Sequence, residues 1–204
     1  MKNETKTSSK AKPQDAIELL TADHQAVKKL FDQFKKCKKA DGSDDEKAAI
    51  VEEICTALTV HAQVEEEIFY PAMRDATQED DLLDEAEVEH STAKDLIADL
   101  ETMQSGDDFY DAKVIVLSEY IEHHVKEEEG EMFPKAKKAK LDTEALGQEM
   151  AQRKAELMQE LASLEDHEDE EDENADPVGS SQVVGGKSKP APGAQSRTPK
   201  TKAA

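Results

Sequence analysis

The sequence predicts an all-α fold: an antiparallel up-down four-helix bundle built from two helical hairpin repeats, with an additional C-terminal helix and disordered tails. The first observation behind it is a duplication. His61-Ala-Gln-Val-Glu65-Glu66-Glu67-Ile-Phe-Tyr-Pro71 recurs as His124-Val-Lys-Glu127-Glu128-Glu129-Gly-Glu-Met-Phe-Pro134. Upstream of each copy stands one histidine leading an apolar helical stripe, His24 with Leu30, Phe31 and Phe34, and His90 with Leu96, Ile97 and Leu100, at matching offsets. From His24 to His61 is 37 positions and from His90 to His124 is 34, so the repeated unit is a hairpin of two helices. The second observation is composition. Ala, Leu, Glu and Lys dominate before residue 170 and no alternating apolar run of strand length occurs, which leaves helix as the periodic structure.

Residues 1–12 are polar and rich in Lys, Ser and Thr, and are expected to be a disordered N-terminal segment. The bundle is expected over 13–140. Pro13 suits a helix first turn, and helix A then carries Ile17, Leu20, His24, Val27, Phe31 and Phe34 on one stripe up to the turn signal Asp41-Gly42. Ser43 or Asp44 caps helix B, whose inward face reads Ile54, Leu58, His61, Glu65 and Phe69. Helix C starts near 78–81, presents Leu83, Ala86, His90, Ala93, Ile97 and Leu100, and stops at Ser105-Gly106. Helix D runs from about Asp108 towards Lys140 with Leu117, Ile121, His124, Glu128 and Met132 inward. Pro71 and Pro134 occupy the same place in both copies and should kink or end their helices, because proline removes an intrahelical hydrogen bond. Asp142 can cap a fifth helix over 141–165 with Leu146, Met150, Leu157, Leu161 and Leu164 on one face. That stripe must cover the bundle's flank or another chain, so helix 142–165 is also a candidate for a protein partner or self-association. The acidic run Glu165 to Glu173 and the Gly/Ser/Pro/Lys-rich end cannot bury a core, and 166–204 is expected to be a disordered tail.

A net charge of -22 opposes nucleic acid and anionic membrane as partners of the folded body, since both demand a basic surface. No apolar run approaches transmembrane length and the first residues lack the hydrophobic segment of a secretory signal, so a cytoplasmic location is expected. Cys37 and Cys55 have no C-x-x-C spacing and read as two reduced thiols, Cys55 as a small buried apolar residue.

Each motif copy places a carboxylate four residues after a histidine, which on a helix puts both side chains on one face, one turn apart. His24, His61, His90 and His124 all fall on apolar stripes, one per helix, and Glu65 and Glu128 share those faces. Carboxylates are not buried unless neutralised or coordinated, and a metal centre resolves the cost of all six groups at once. Imidazole plus carboxylate without thiolate suits iron or manganese better than structural zinc, and six ligands exceed what one tetrahedral ion needs. With Glu65 and Glu128 bridging and two histidines per metal, roughly two octahedral positions remain for a bridging oxo or hydroxo group and for exogenous ligands. His123 competes with His124 as a ligand. The shared four-three-four steps of Ile54, Leu58, His61, Glu65 and Leu117, Ile121, His124, Glu128 favour His124 and leave His123 about 100° off the seam. Glu66, Glu67, Glu127 and Glu129 read as a solvated face or as acids supporting the ligands, Tyr120 equally as a donor near the centre or as a core aromatic, and His167 as no more than a weak cation contact.

These paired H-x-x-x-E-E-x-x-[hydrophobic]-[aromatic]-P motifs resemble those of hemerythrin-type HHE cation-binding domains over about residues 14–140. The resemblance implies a four-helix bundle holding a non-haem di-iron centre, with His24, His61, Glu65, His90, His124 and Glu128 as ligands to two iron ions, manganese being the less favoured metal. Oxygen-carrying members add a histidine one turn after the helix C ligand, where this chain has Lys94. Either an open coordination position or a substitute donor such as His123, Glu127 or a tyrosine follows. The leading expectation is a protein that binds or senses O2, NO or peroxide at an open di-iron centre. Beside it stand a peroxide- or NO-detoxifying enzyme, and iron buffering or iron-dependent regulation reported by the fifth helix and tail.

Overall fold

The computed structural model describes residues 15–173, which form helices α1 (Ala16–Lys39), α2 (Asp44–Val64), α3 (Tyr70–Ala76), α4 (Asp80–Glu101), α5 (Tyr110–Glu127), α6 (Phe133–Ala139) and α7 (Thr143–Glu173). Among the described residues there is no strand. Helix α1 packs on α2 and on α5, and α4 packs on α5 and on α2, so these four helices close into a square, the up-down bundle that short connections impose.

Local chemistry sets the ends. Pro13 lies outside the described residues, and Asp15 caps α1, its carboxylate accepting from the Ile17 and Glu18 backbone N–H groups. Ser43 caps α2 in a reciprocal capping box with Glu46. At the turn before it, Asp41 rather than Gly42 takes the left-handed φ of 57°. Gly42 sits tightly against Cys37 instead, since a Cβ there would press on its Sγ and lie 3.2 Å from its carbonyl oxygen. Asp142 caps α7, accepting from the Ala145 N–H at 3.1 Å.

Neither proline kinks or ends its helix outright. Between α2 and α3, and between α5 and α6, the chain stays helical through one π-helical turn, Glu65–Phe69 and Glu128–Met132. The Tyr70 N–H donates to the Glu65 carbonyl and the Phe133 N–H to the Glu128 carbonyl. The wider turn accommodates the ring of Pro71 or Pro134 and its missing N–H, and each proline then sits in the first turn of the next helix. It also turns two successive residues inward: Phe69 with Tyr70, and Met132 with Phe133, are all buried.

The core divides into two apolar clusters. One gathers Leu20, Val64, Phe69, Tyr70, Met73, Leu83, Met132 and Phe133, and the other Phe31, Phe34, Ile54, Leu58, Ile97, Leu100 and Leu117. Every buried histidine falls in sequence between members of the two, as His24 does between Leu20 and Val27, so the polar residues form a layer across the bundle's middle. Full burial of each large apolar side chain contributes about 1.5–3 kcal/mol. The clusters thus hold the layer closed from both sides.

Of the two coverings expected for the C-terminal stripe, the flank is the one observed. Met150 and Leu157 are buried in the first cluster and Leu146 and Leu161 pack against it. Arg153 pairs with Glu67, and Lys154 with Asp23. Helix α7 continues to Glu173, past the expected boundary at 165. The remainder of the expected tail and the segment 1–12 lie outside the described residues.

Candidate metal centre

Each of the four helices of the square delivers one buried histidine to the middle layer: His24 from α1, His61 from α2, His90 from α4 and His124 from α5. The two π turns deliver Glu65 and Glu128, both fully buried. The histidines meet as two pairs, His24 with His61 at 4.9 Å between ring centroids and His90 with His124 at 4.7 Å. Each carboxylate reaches both pairs. Glu65 Oε2 lies 3.1 Å from His61 Nε2 and 3.4 Å from His90 Nε2, while Glu128 Oε2 lies 3.1 Å from His24 Nε2 and 3.5 Å from His124 Nε2. Two groups of donors close enough to share an ion result, His24, His61, Glu65 and Glu128, and Glu65, His90 and His124.

All four Nε2 atoms face the middle because acids engage the opposite ring nitrogen. Glu129 holds His24 Nδ1 at 2.9 Å, Glu66 holds His90 Nδ1 at 2.9 Å and Glu89 holds His124 Nδ1 at 2.8 Å, with Asp23 Oδ2 3.6 Å from His61 Nδ1. The pattern obeys the duplication. Asp23 and Glu89 directly precede His24 and His90 and serve the other histidine of their own hairpin, whereas Glu66 and Glu129 directly follow Glu65 and Glu128 and serve the opposite hairpin. A carboxylate on Nδ1 fixes the ring and raises the basicity of the inward nitrogen.

On the His90 and His124 side the two Nε2 atoms lie 3.1 Å apart, but the other inward atoms lack partners of their own. His24 Nε2, His61 Nε2, both oxygens of Glu65 and Glu128 Oε2 are buried without a hydrogen bond, and orphaned buried polar atoms are rare in folded proteins. Burial, reinforced by the charge of Glu128, pushes the Glu65 carboxyl well above the usual carboxylate range. Glu128 goes the other way: burial opposes its charge, but the close approach of His24, whose Nε2 lies 3.1 Å from Oε2, and the positive charges of His124 and His24 hold it low. Burial pulls His61 down, whereas for His24 and His124 it is outweighed by Glu128 and Glu129 and by Glu89 and Glu128 respectively, and both are raised. The two carboxylates are thus pushed in opposite directions and titrate as a pair.

The tyrosine at the centre is Tyr70, not Tyr120, which is exposed on α5. The Tyr70 hydroxyl donates to Glu128 Oε1 at 3.1 Å and lies 3.2 Å from His90 Nε2. Burial and the nearby Glu65 and Glu128 charges raise it well above the ordinary phenol range, so it stays a donor. Its counterpart in the other copy is Phe133, stacked on His24 at 5.8 Å. Only the mismatch of Tyr and Phe at that motif position hinted at this. Tyr70→Phe is expected to cost about 1–3 kcal/mol of stability by orphaning Glu128 Oε1 and to weaken metal binding about 10–100-fold. Denaturant melts and chelator competition read both, and wild-type values in both would remove Tyr70 from the site.

His124 is buried and His123 is 61% exposed, pairing with Glu127 and Glu89 at the surface. Lys94 does not reach the carboxylates of the middle layer; its ammonium binds Glu66 at 2.5 Å. Cys55 is buried among apolar residues, its thiol pushed up to about 12 by burial, and is inert. A cavity of about 20 Å³ adjoins the histidines, walled by Val27, Leu58, Ala93, Ile97 and Ile121 with Lys94 at its edge. It has room for one water-sized molecule. A groove of about 510 Å³ between α1 and α5 shares His24, Ile121 and Val125 with it.

The hemerythrin HHE cation-binding domain family matches residues 15–136, which take in every one of these residues. The chain belongs to that family. A solved structure of a hemerythrin HHE cation-binding domain-containing protein from Mycobacterium kansasii is 25% identical, covers 70% of this chain and 86% of its own, and superposes with a TM-score of 0.58. A search of curated proteins returned no match. As in other HHE domains, a cation site is expected in the bundle, and the buried histidine and glutamate groups are the residues that could form it. No helix among the described residues is long and apolar enough to cross a membrane.

Proposed function

We propose that this HHE protein holds two iron ions through His24, His61, Glu65, His90, His124 and Glu128, and that the centre binds or senses O2, NO or peroxide. The observation that carries the proposal is the set of orphaned buried atoms, imidazole nitrogens of α1 and α2 and carboxylate oxygens of the two π turns, converging with no hydrogen-bond partner. Nitrogen and oxygen donors without sulfur fit iron or manganese. His24 and His61 would serve one ion, His90 and His124 the other, and Glu65 and Glu128, each touching both pairs, would join them. When bound, two ferrous ions supply electrons to a small oxidant, or open positions to a diatomic ligand.

The chain's own residues define what reaches that point. The apolar wall of Val27, Leu58, Ala93, Ile97 and Ile121 admits a small uncharged molecule and excludes larger ones. Ile121 and Val125 line both this cavity and the outer groove. Tyr70 offers a proton donor on the side of the His90 and His124 pair, and Glu129, Glu66 and Glu89 keep the rings of His24, His90 and His124 in place.

Optical spectra of ferrous-reconstituted protein before and after air, after NO and after peroxide test the reading. A change that reverses under vacuum means ligand binding. Oxygen evolution from peroxide with an unreversed spectrum means the enzymatic alternative, and no change with any of the three ligands overturns both.

Lys94 provides a second test, since it stands at the cavity edge one turn beyond His90. Lys94→His is expected to slow peroxide consumption by about tenfold or more, the scale on which altered surroundings change a metal site. Identical stopped-flow kinetics in both proteins would show that position 94 does no more than anchor Glu66.

A further inference from the structure

Outside the buried layer, Glu89 of α4 and His123 and Glu127 of α5 bring three donors together on the bundle's surface. His123 Nε2 lies 3.3 Å from Glu127 Oε1 and 3.7 Å from Glu89 Oε1. An ion about 2.1 Å from each donor sets neighbouring donors about 3.0–3.4 Å apart, so little adjustment is needed to seat one. His123 and Glu127 repeat, one residue back, the His-x-x-x-Glu chelate of the buried layer.

A second observation points to a cation. Among the described residues Asp23, Glu66 and Glu67 have basic partners in Lys154, Lys94 and Arg153, while Glu129 has only His24. Among the described residues, neither Glu89 nor Glu127 pairs with a lysine or arginine; their partners are His123 and His124. Glu89 is also divided between two tasks. Its Oε2 holds His124 Nδ1 at 2.8 Å, while Oε1 faces His123.

We propose that Glu89, His123 and Glu127 form a solvent-facing site for a first-row divalent cation, one carboxylate away from the buried centre, and that the centre is loaded through it. The donor set is two carboxylate oxygens and one imidazole nitrogen, with the remaining positions open to water, which suits a hydrated ion on its way inward. The loading role rests on the function proposed above; the surface site does not.

Titration of the full chain with Mn2+, read by the EPR signal of the free ion, tests it against His123→Ala, whose exposed side chain leaves the core untouched. Wild type is expected to bind three ions and the variant two, with the third weakened about tenfold or more, as even loss of an outer partner does. The variant should also fill the two buried positions at least several-fold more slowly. Equal stoichiometry and affinity in both proteins would overturn the surface site, and equal loading rates would overturn its role in loading. If the buried centre binds nothing, wild type takes up one ion and the variant none, which keeps the surface site and removes the loading role. Glu127→Gln, which keeps the shape of the side chain, must repeat the loss.

Discussion

Removal of the metal ions is expected to lower the melting temperature by about 8–16 °C per ion. Binding at a thousandfold excess over Kd adds about 4 kcal/mol to the folded state, and for a chain of this size each kcal/mol moves the midpoint by about 2–4 °C. The cause is local. Without ions, Glu65 and the inward nitrogens of His24 and His61 lie in the core with no partner, between apolar clusters that cannot open to water without being lost. Calorimetry of iron-loaded and chelator-stripped protein at neutral pH reads the difference, and coincident melts would mean that the six residues are not a shared site.

The two central carboxylates should respond oppositely when the metal is absent. Glu65 is fully buried and neither of its oxygens accepts a hydrogen bond, so Glu65→Leu removes an unsatisfied group and should stabilise metal-free protein by about 1–3 kcal/mol. Glu128 accepts from the Tyr70 hydroxyl, so Glu128→Leu strands a buried donor and should destabilise by a similar amount. Both variants should fail to load iron, because each removes a carboxylate in contact with both histidine pairs. Urea melts of the two metal-free variants decide it; the same sign for both would show that the asymmetry at Tyr70 and Phe133 does not govern the layer.

The duplication made the bundle and its inward histidines and glutamates readable, because a residue on the apolar stripe of a helix keeps its face wherever that helix packs. The residues that surround them were harder to place. Asp23, Glu66, Glu89 and Glu129 each adjoin a centre residue in sequence, which on one helix turns them about 100° away and makes them look solvated. Only the packing of neighbouring helices shows that three of them hold Nδ1 atoms and the fourth lies beside one. Their own duplication was the available signal: an acid before each first histidine and after each glutamate. The prolines misled for a different reason. Proline forbids one hydrogen bond, and a helix can end, bend or widen in response; here it widens, and the π turns begin at Glu65 and Glu128 themselves. Tyr70 follows from that widening, since in a regular helix it would not share the inward face with Phe69.

Helix α7 links the layer to the rest of the chain through Lys154, which binds Asp23 beside His61. Its buried Met150 and Leu157 hold that lysine in place. An iron-dependent regulatory role would run through this contact, and metal-dependent hydrogen-exchange protection of residues 142–165 would support it.

The most direct measurement is iron per chain after loosely held ions have been removed on a chelating resin. Two ions per chain are expected for wild type, and fewer than one for the variant carrying both His61→Ala and His124→Ala, which takes one inward nitrogen from each histidine pair. Full loading of that double variant would contradict the assignment of the centre.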